Sequence, residues 1–203
     1  METRRERKKQ QTRIALLRAA AALFAERGIY GTRIEDITER IDLGKGAFYN
    51  YFDSKDALLA QLVADGIDTL KRDYFDTLGD HGTPGERIEA LVRLHGEFFA
   101  AYPHYEVLFH QSRGLLHLTD KRVTQLRAVF LRYLAHLGDA LVSPAELVSW
   151  SEDEKLDLSA AVAAAIVGYR SFRLAAGLPL REATPADALT AGVPHLLEQR
   201  AAE

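Results

Sequence analysis

The chain has 203 residues, of which 47% are hydrophobic and 27% are charged, and it contains no cysteine. This composition is typical of a globular protein and excludes general disorder, a disulfide framework and a thiolate metal site. The net charge of −3 is unevenly placed, because residues 1–55 hold 12 Lys and Arg against 8 Asp and Glu while residues 56–203 hold 14 against 21. A basic first quarter on an acidic body indicates contact with a polyanion, with chance clustering of charge as the alternative.

The start of the chain, METRRERKKQQTR, leads into an amphipathic segment instead of the compact apolar stretch of a signal peptide. The most apolar run, residues 158–169, is too short to span a bilayer. Together with the lack of cysteine, these features predict a soluble protein of the cytoplasm.

Apolar residues recur at three- and four-residue spacing along most of the chain, and no strand alternation or internal repeat interrupts them. This pattern predicts an all-α protein of about nine helices. Residues 1–11 are expected to form a basic, flexible arm. The first helix starts at Thr12 and ends at Gly28. The second starts at a capping box in which Thr32 caps the helix and Glu35 reaches back.

The third helix is predicted over residues 45–52, and Ser54 caps a fourth helix that runs to about Leu78. Gly177 provides a C-cap for a long helix, and Pro194 breaks or kinks the last one. The remaining helices are predicted over residues 85–101, 104–116, 119–142, 152–176 and 185–200.

Residues 32–52 have the proportions of a helix-turn-helix, with two short helices and a brief turn inside a basic segment. In the second of these helices Phe48 and Phe52 are four residues apart, so they form one aromatic face that packs into the core. Tyr49 and Tyr51 point away from this face. There the ring of a tyrosine can cover a DNA sugar while its hydroxyl donates to a phosphate oxygen. The alternative for each tyrosine is a core position with a polar edge.

The start of the third helix combines small residues with a cation. Gly46 and Ala47 let the N-terminus of the helix and its free N–H groups approach a phosphate, and Lys45 adds a positive charge in the same turn. Asn50 can bond an adenine edge. These residue types in this order favour DNA binding over a purely structural segment.

The segment TRIEDITERIDLGKGAFYNYFDSKDALL resembles the signature of the tetracycline-repressor-like (TetR) family of bacterial transcriptional regulators, and the resemblance extends over residues 12–60. The matching positions are Thr32, Ile37, Lys45, Gly46, Tyr49, Tyr51, Phe52, Ser54, Lys55 and Leu58. Three positions depart from the family pattern. Asp42 stands where the turn usually has Gly, Gly44 replaces the usual Ser cap, and Ala47 replaces a frequent Thr. The departures bear on the operator sequence and leave the expected fold unchanged.

The resemblance implies a three-helix helix-turn-helix DNA-binding domain over residues 12–55. Residues 56–203 would then form a helical bundle for ligand binding and dimerisation. The implied DNA contacts are Arg33, Lys45, Gly46, Ala47, Tyr49, Asn50, Tyr51 and Lys55. Glu35 keeps two interpretations, a contact to a base edge or the capping box. The basic residues of the arm either contact the DNA backbone or an adjacent minor groove or form a solubilising tail; they are Arg4, Arg5, Arg7, Lys8 and Lys9.

A symmetric dimer is expected, because a single recognition helix buries too little surface to find one genomic site. Small residues at helical spacing in the long helix let two copies approach closely, and the resemblance implies that the last two helices pair. The predicted interface residues are Ala161, Ala164, Ala165, Gly168, Leu189, Val193, Leu196 and Leu197. The alternative is that the alanine-rich face packs within the monomer.

Aromatic residues concentrate in the middle of the chain, where they could line an apolar effector cavity with a few polar groups. The predicted lining residues are Phe98, Phe99, Tyr102, Tyr105, Phe109, His110, Phe130, Tyr133, Trp150, Tyr169 and Phe172. The polar candidates are His95, His110, His136, Gln111, Arg113 and Arg170. An ordinary packed core is the alternative, and the resemblance favours the cavity.

No pattern predicts a metal site or catalysis. His104, His110 and His117 are six and seven residues apart, not the four that place two ligands on one helix face. No phosphate loop, nucleophile elbow or carboxylate pair stands out. We therefore expect no metal, no cofactor and no enzymatic activity, and an all-α enzyme with an incidental helix-turn-helix is only a third hypothesis.

The leading hypothesis is a homodimeric repressor that binds a palindromic double-stranded DNA operator and leaves it when a small, largely apolar effector binds. The effector itself is not identified, and no membrane partner is expected. The alternative is a DNA-binding protein of the same fold with an architectural role and no ligand. The two hypotheses differ in whether the aromatic residues enclose a cavity or pack solidly.

Overall fold

The computed structural model describes residues 3–79, 82–115, 124–141 and 150–178, and within these ranges every regular element is a helix. The prediction of an all-α fold is therefore confirmed. The α-helices are α1 (Arg4–Gly31), α2 (Ile34–Glu39), α3 (Lys45–Phe48), α4 (Lys55–Asp73), α5 (Pro84–Ala101), α6 (Pro103–Leu115), α7 (Thr124–Leu141) and α8 (Glu152–Ala175), with a short 3₁₀ helix over Phe75–Thr77. The helix predicted over residues 185–200 lies outside the described residues.

The chain divides into two compact units. The first unit comprises Met1–Gly66 and Tyr102–Val129, and the second comprises Ile67–Ala101 and Phe130–Glu203. The sequence-based boundary after residue 55 did not anticipate that α6 belongs with the first three helices.

The start of α1 differs from the sequence prediction. Thr3, not Thr12, is the N-cap: its Oγ1 accepts from the N–H of Glu6 at 3.2 Å, and the Glu6 carboxylate accepts from the N–H of Thr3 at 2.6 Å. Thr12 lies inside the helix, where its hydroxyl donates to the carbonyl of Lys8. Residues 4–11 thus form about two exposed helical turns instead of a flexible arm, because a complete capping box satisfies the first free N–H groups of the helix.

The end of α1 contains a kink at Gly28, the predicted end of the helix. Gly28 has φ 74° and ψ 166°, a conformation that favours glycine, and one further turn carries the chain to Gly31. Thr32 follows and is buried, and its hydroxyl donates to the carbonyl of Gly28 at 2.9 Å.

The predicted capping box of the second helix is wrong, because the Thr32 hydroxyl is used by the end of α1. The N-cap of α2 is Arg33, whose N–H donates to Oδ2 of Asp36 at 2.7 Å. The capping carboxylate is therefore Asp36 instead of Glu35.

The core of the first unit forms where α1 packs on α6 and on α2, and where α2 packs on α3. The buried apolar residues of this core include Leu16, Leu17, Ala20, Leu23, Phe24, Ile37, Phe48 and Phe52. Burial of each large side chain contributes about 1.5–3 kcal/mol. Gly66 of α4 lies against the ring of Tyr105 on α6, so closely that a Cβ there would be 2.7 Å from the ring.

In the second unit α5 packs against α8, and the core is rich in aromatic rings. Arg87 is buried in this unit, where its Nε donates to the carbonyl of Ala140 at 2.8 Å and its guanidinium also reaches the carbonyl of Gly79. A buried cation at the C-terminal end of α7 suits the negative pole of that helix.

Candidate nucleic-acid interface

The turn between α2 and α3 explains one departure from the family pattern. Asp42 has φ 52°, in the left-handed region that favours glycine and that Asp and Asn tolerate better than other residues. The backbone therefore keeps the shape that a glycine would give it. Gly44 then occupies the N-cap of α3 in an extended conformation.

The third helix is shorter than predicted, but its helical turns continue beyond it. The α-helix covers Lys45–Phe48, and hydrogen bonds from the N–H of Tyr51 and from the N–H of Phe52 to the carbonyl of Phe48 carry the turn to residue 52. Residues 45–52 thus form one compact helical segment, as the sequence indicated.

This segment has a buried and an exposed face. Phe48 is fully buried and Phe52 nearly so, with ring centroids 5.8 Å apart, and the guanidinium of Arg13 on α1 lies over the Phe52 ring. The predicted core role of both phenylalanines is confirmed. Tyr49 is 52% exposed. Lys45, Gly46 and Asn50 are exposed, and Ala47 and Tyr51 are half-buried.

Glu35 and Lys45 form an ion pair across the helix-turn-helix, with Oε1 and Nζ 2.5 Å apart. The hydrogen bond from Lys45 lowers the pKa of Glu35, and the same bond raises the pKa of Lys45. The capping-box interpretation of Glu35 is therefore wrong. Both side chains remain exposed, so solvent screens the pair and its separation costs little free energy.

Lys55 has a structural role that the sequence prediction did not include. Its Nζ donates to the carbonyls of Ile29 and Thr32, both at 2.8 Å, and partial burial lowers its pKa. Two of its three donors are committed inside the first unit. Lys55 is partly buried and bound to main-chain carbonyls, whereas Arg33 and Lys45 are exposed.

The predicted ligand-pocket residues fall into both units. In the first unit Phe109 is buried, and burial raises the pKa of Tyr105 to about 12. Tyr102 is half-buried, but His110 is exposed on α6, which contradicts its predicted pocket position.

In the second unit Phe98, Phe99 and Tyr133 are buried, and Phe130, Trp150 and Tyr169 are half-buried. Phe172 is 79% exposed, so its predicted pocket position is wrong for the described structure. It lies near the end of α8, on a face that no described residue covers.

His95 is the polar centre of this aromatic core. Its Nδ1 lies 2.7 Å from the carbonyl of Leu91, which can only accept, so Nδ1 carries the proton and Nε2 accepts from the Tyr133 hydroxyl at 2.9 Å. Burial lowers the pKa of His95 to about 4. The ring is therefore neutral at physiological pH.

The first unit carries an open groove of about 580 Å³ between α1 and the end of α2. Its lining residues are Gln11, Ile14, Ala15, Arg18, Ala19, Ala22, Arg40 and Ile41, and none of them is a predicted pocket residue. Arg40 at its rim is already paired with both carboxylate oxygens of Glu26.

The described part of the predicted dimer interface lies on α8. Ala161 and Ala164 are exposed, Ala165 and Gly168 are half-buried, and Phe172 and Leu174 extend the exposed apolar face. Leu189, Val193, Leu196 and Leu197 lie outside the described residues.

Among the described residues α8 is the one helix long and apolar enough to cross a membrane, and 22% of its most apolar stretch is buried. The same part of the chain holds no group of three or more His, Asp or Glu that could bind a metal ion.

Three comparisons place this geometry among known proteins. The sequence model of the bacterial regulatory proteins, tetR family, matches residues 16–62. The HTH-type transcriptional repressor DhaR of Mycobacterium sp. (strain GP1) is 29% identical over 149 residues, which cover 71% of this chain and 73% of that protein. The repressor KstR2 of Mycobacterium tuberculosis (strain ATCC 25618 / H37Rv) is 32% identical over 99 residues. The chain spans about half the length of the KstR2 relatives, 49% in this case.

A solved structure shares the fold over most of the chain. The regulator FadR from Bacillus subtilis, in complex with stearoyl-CoA, has a TM-score of 0.65 and is 16% identical, with 91% of this chain and 96% of that chain covered. At this identity the likeness shows the fold alone.

Proposed function

Because the chain belongs to the TetR family of bacterial regulatory proteins, we propose that it is a homodimeric repressor released from a palindromic operator by a small, largely apolar ligand. DNA binding through a helix-turn-helix and a role in transcription regulation come with the family. The observation that carries the proposal is the division of residues 45–52 into a buried phenylalanine face and an exposed face of small, polar and cationic residues.

The exposed face suits two kinds of DNA contact. Lys45 and Tyr49 reach phosphate and sugar, which fixes the position of the protein on the duplex, and Asn50 reads a base edge in the major groove. Arg33 at the start of α2 adds a second phosphate contact. The remaining proposed contacts are Gly46, Ala47, Tyr51 and the third donor of Lys55.

The helical first turns of α1 carry further cations that we include in the proposed DNA contacts. Their cations are exposed and project from a capped helix, so they would reach phosphates in a defined geometry instead of as a mobile tail.

The exposed apolar face of α8 supports dimerisation. Ala161, Ala164 and Gly168 leave room for a second helix, because small side chains permit close approach of two backbones. A symmetric dimer would place its two recognition helices about 34–36 Å apart, one turn of DNA. This use of α8 also fits a soluble, cytoplasmic protein better than a membrane span does.

The ligand would act by binding more tightly to a conformer in which the two recognition helices no longer match that spacing. A regulator of this fold is described with stearoyl-CoA, so the fold can hold a long acyl chain, and the aromatic residues of the second unit offer apolar contacts. DhaR and KstR2 are transcriptional repressors, and we propose no enzymatic activity.

A second candidate, a DNA-binding protein without an effector, is favoured by one observation. Phe98 and Phe99 are buried with their ring centroids 5.4 Å apart, and His95 fills its site with two hydrogen bonds. Such packing is typical of a solid core, and a ligand could bind there only by displacing these side chains.

The test is a binding selection on genomic fragments at near-physiological salt, repeated with pools of apolar metabolites and acyl compounds. Recovery of one palindromic site that a pool releases supports the ligand-responsive repressor. Recovery of one site that no pool releases supports a regulator without an apolar effector. Tight binding that is indifferent to sequence contradicts the repressor and supports the architectural alternative.

A further inference from the structure

The peptide groups of Ile29 are held from both sides by side chains that are distant in sequence. Its N–H donates to Oε1 of Gln111 on α6 at 2.7 Å, and its carbonyl accepts from the ammonium of Lys55 at 2.8 Å. The Ile29 side chain itself is buried. The exit from α1 is therefore fixed by tertiary hydrogen bonds and by apolar packing.

The kink at Gly28 makes this arrangement possible. In a regular helix the N–H of Ile29 would donate to the carbonyl four residues earlier, but the positive φ of Gly28 turns it towards α6. The glycine also makes room for its partner, because a Cβ at Gly28 would lie 3.0 Å from Nε2 and 3.1 Å from Oε1 of Gln111.

The segment after Ile29 sets the start of the helix-turn-helix. The Thr32 hydroxyl donates to the carbonyl of Gly28, and the Thr32 carbonyl accepts from the ammonium of Lys55. Arg33 follows at once as the N-cap of α2, and α2 packs on α3. A displacement of the Ile29 peptide would thus move Arg33 and the whole of α2, which has only six residues.

We propose that Gln111 is a positioning residue for operator recognition. It acts through Ile29: its side-chain oxygen accepts from the N–H of Ile29, the residue directly after the kink, and so it fixes where α2 begins. This assignment replaces the predicted role of Gln111 as a polar group for the effector. It rests on the proposed function, because positioning matters only if the helix-turn-helix reads a specific site.

Hydrogen-bonding chemistry predicts which substitutions at residue 111 keep an acceptor for the N–H of Ile29. Gln111→Leu has a similar shape but no acceptor, so the N–H of Ile29 loses its partner. Gln111→Glu keeps an oxygen at the same place and can still accept. Gln125→Leu makes the same change at an exposed glutamine on α7 and serves as the matched control.

Two measurements on the full-length chain test the proposal. The first is the ratio of affinities for the operator that the wild-type protein selects and for random-sequence DNA of equal length. We expect Gln111→Leu to lower this ratio by about tenfold, while Gln111→Glu and Gln125→Leu stay within about threefold of wild type. The second is amide hydrogen exchange of the DNA-free protein, where residues 29–36 should exchange faster in Gln111→Leu alone.

The outcomes separate the alternatives. Equal loss of specific and non-specific binding, with faster exchange throughout the protein, would mean that Gln111 serves only stability and would overturn the proposal. An unchanged ratio in Gln111→Leu would overturn it too. If the wild-type protein selects no sequence, the proposed function fails instead, and the exchange of residues 29–36 still shows whether Gln111 holds the Ile29 amide.

Discussion

The two units are stabilised in different ways. In the first unit, α2 and α3 have six and four residues, far too few to be stable alone, and side chains from remote positions hold the backbone at the end of α1 and at the residue before α2. Lys55 and Gln111 bind main-chain groups of Ile29 and Thr32, and none of these bonds is part of a helix. In the second unit α5 and α8 have 18 and 24 residues and meet over a core of aromatic rings.

The difference shows what a unit built from short helices requires. Short helices can present many residues to a partner, but they need polar side chains to fix the turns between them. The long helices of the second unit rely more on apolar packing, although the buried Arg87 also donates to the main-chain carbonyls of Gly79 and Ala140. Polar contacts in the second unit, such as the pair of His95 and Tyr133, lie within the core and join helices that are already formed.

The largest effect is expected at the buried face of α3. Phe48→Ala removes a fully buried ring from the first unit and should lower the free energy of unfolding by about 3–5 kcal/mol, measured by urea denaturation. Tyr49→Ala, at the neighbouring exposed position, should change it by no more than about 0.5 kcal/mol. Similar losses for both variants would show that the two faces are not divided as described.

The second unit should become less stable in acid because of His95. Burial lowers the pKa of His95 to about 4 from an ordinary value of 6.5. Between these two pH values the unfolded chain binds a proton at His95 and the folded chain does not. The stability that neutral His95 contributes is present above pH 6.5 and is lost as the pH falls towards 4, by about 3 kcal/mol in total.

The measurement is the free energy of unfolding between pH 7 and pH 4. His95→Gln, which cannot titrate, should flatten this pH dependence. A His95→Gln curve as steep as the wild-type curve would assign the acid sensitivity to other groups.

A substitution at the kink of α1 should have a smaller effect on stability. Gly28→Ala forces an L-residue to a positive φ and pushes its Cβ against Gln111, so we expect a loss of about 1–3 kcal/mol in the free energy of unfolding. Gly31→Ala is the control, because its Cβ would meet only the Cβ of Arg27 at 3.5 Å. A neutral Gly28→Ala would mean that the exit from α1 is not held as described.

The smallest expected effect lies on the exposed face of α3. Lys45→Ala should weaken DNA binding and lower the slope of log affinity against log salt by about 1, because one phosphate contact is lost. Lys71→Ala removes the same charge from the second unit, where Lys71 also pairs with a carboxylate, Asp76. Equal effects of the two variants would indicate a net-charge effect and would contradict a contact by Lys45.

Local patterns account for what could be predicted. The spacing of apolar residues is enough to identify an all-α chain, and four-residue spacing is enough to place Phe48 and Phe52 on one buried face. A glycine at the end of an apolar stripe is enough to locate the break in α1. Each of these signals involves residues within one or two helical turns, so the physics that causes the structure is contained in the segment itself.

Competition between neighbouring donors and acceptors explains the local errors. Thr12 and Thr3 are both acceptable caps, but only Thr3 has Glu6 three residues later to complete the capping box. Thr32 and Glu35 also have capping-box spacing, yet the Thr32 hydroxyl binds the kinked end of α1 and Glu35 binds Lys45. In both cases the choice depends on what else can bind the same group.

The amino-acid sequence alone determined the helical class, the helix-turn-helix segment and the two faces of residues 45–52, because those features follow from periodicity and from short motifs. Only the folded chain decided that Lys55 and Gln111 serve the Ile29 backbone and that Phe172 stands exposed. Gln111 and Ile29 are 82 residues apart, and Lys55 and Ile29 are 26 apart. Such bonds depend on where helices meet in space, which no local spacing encodes.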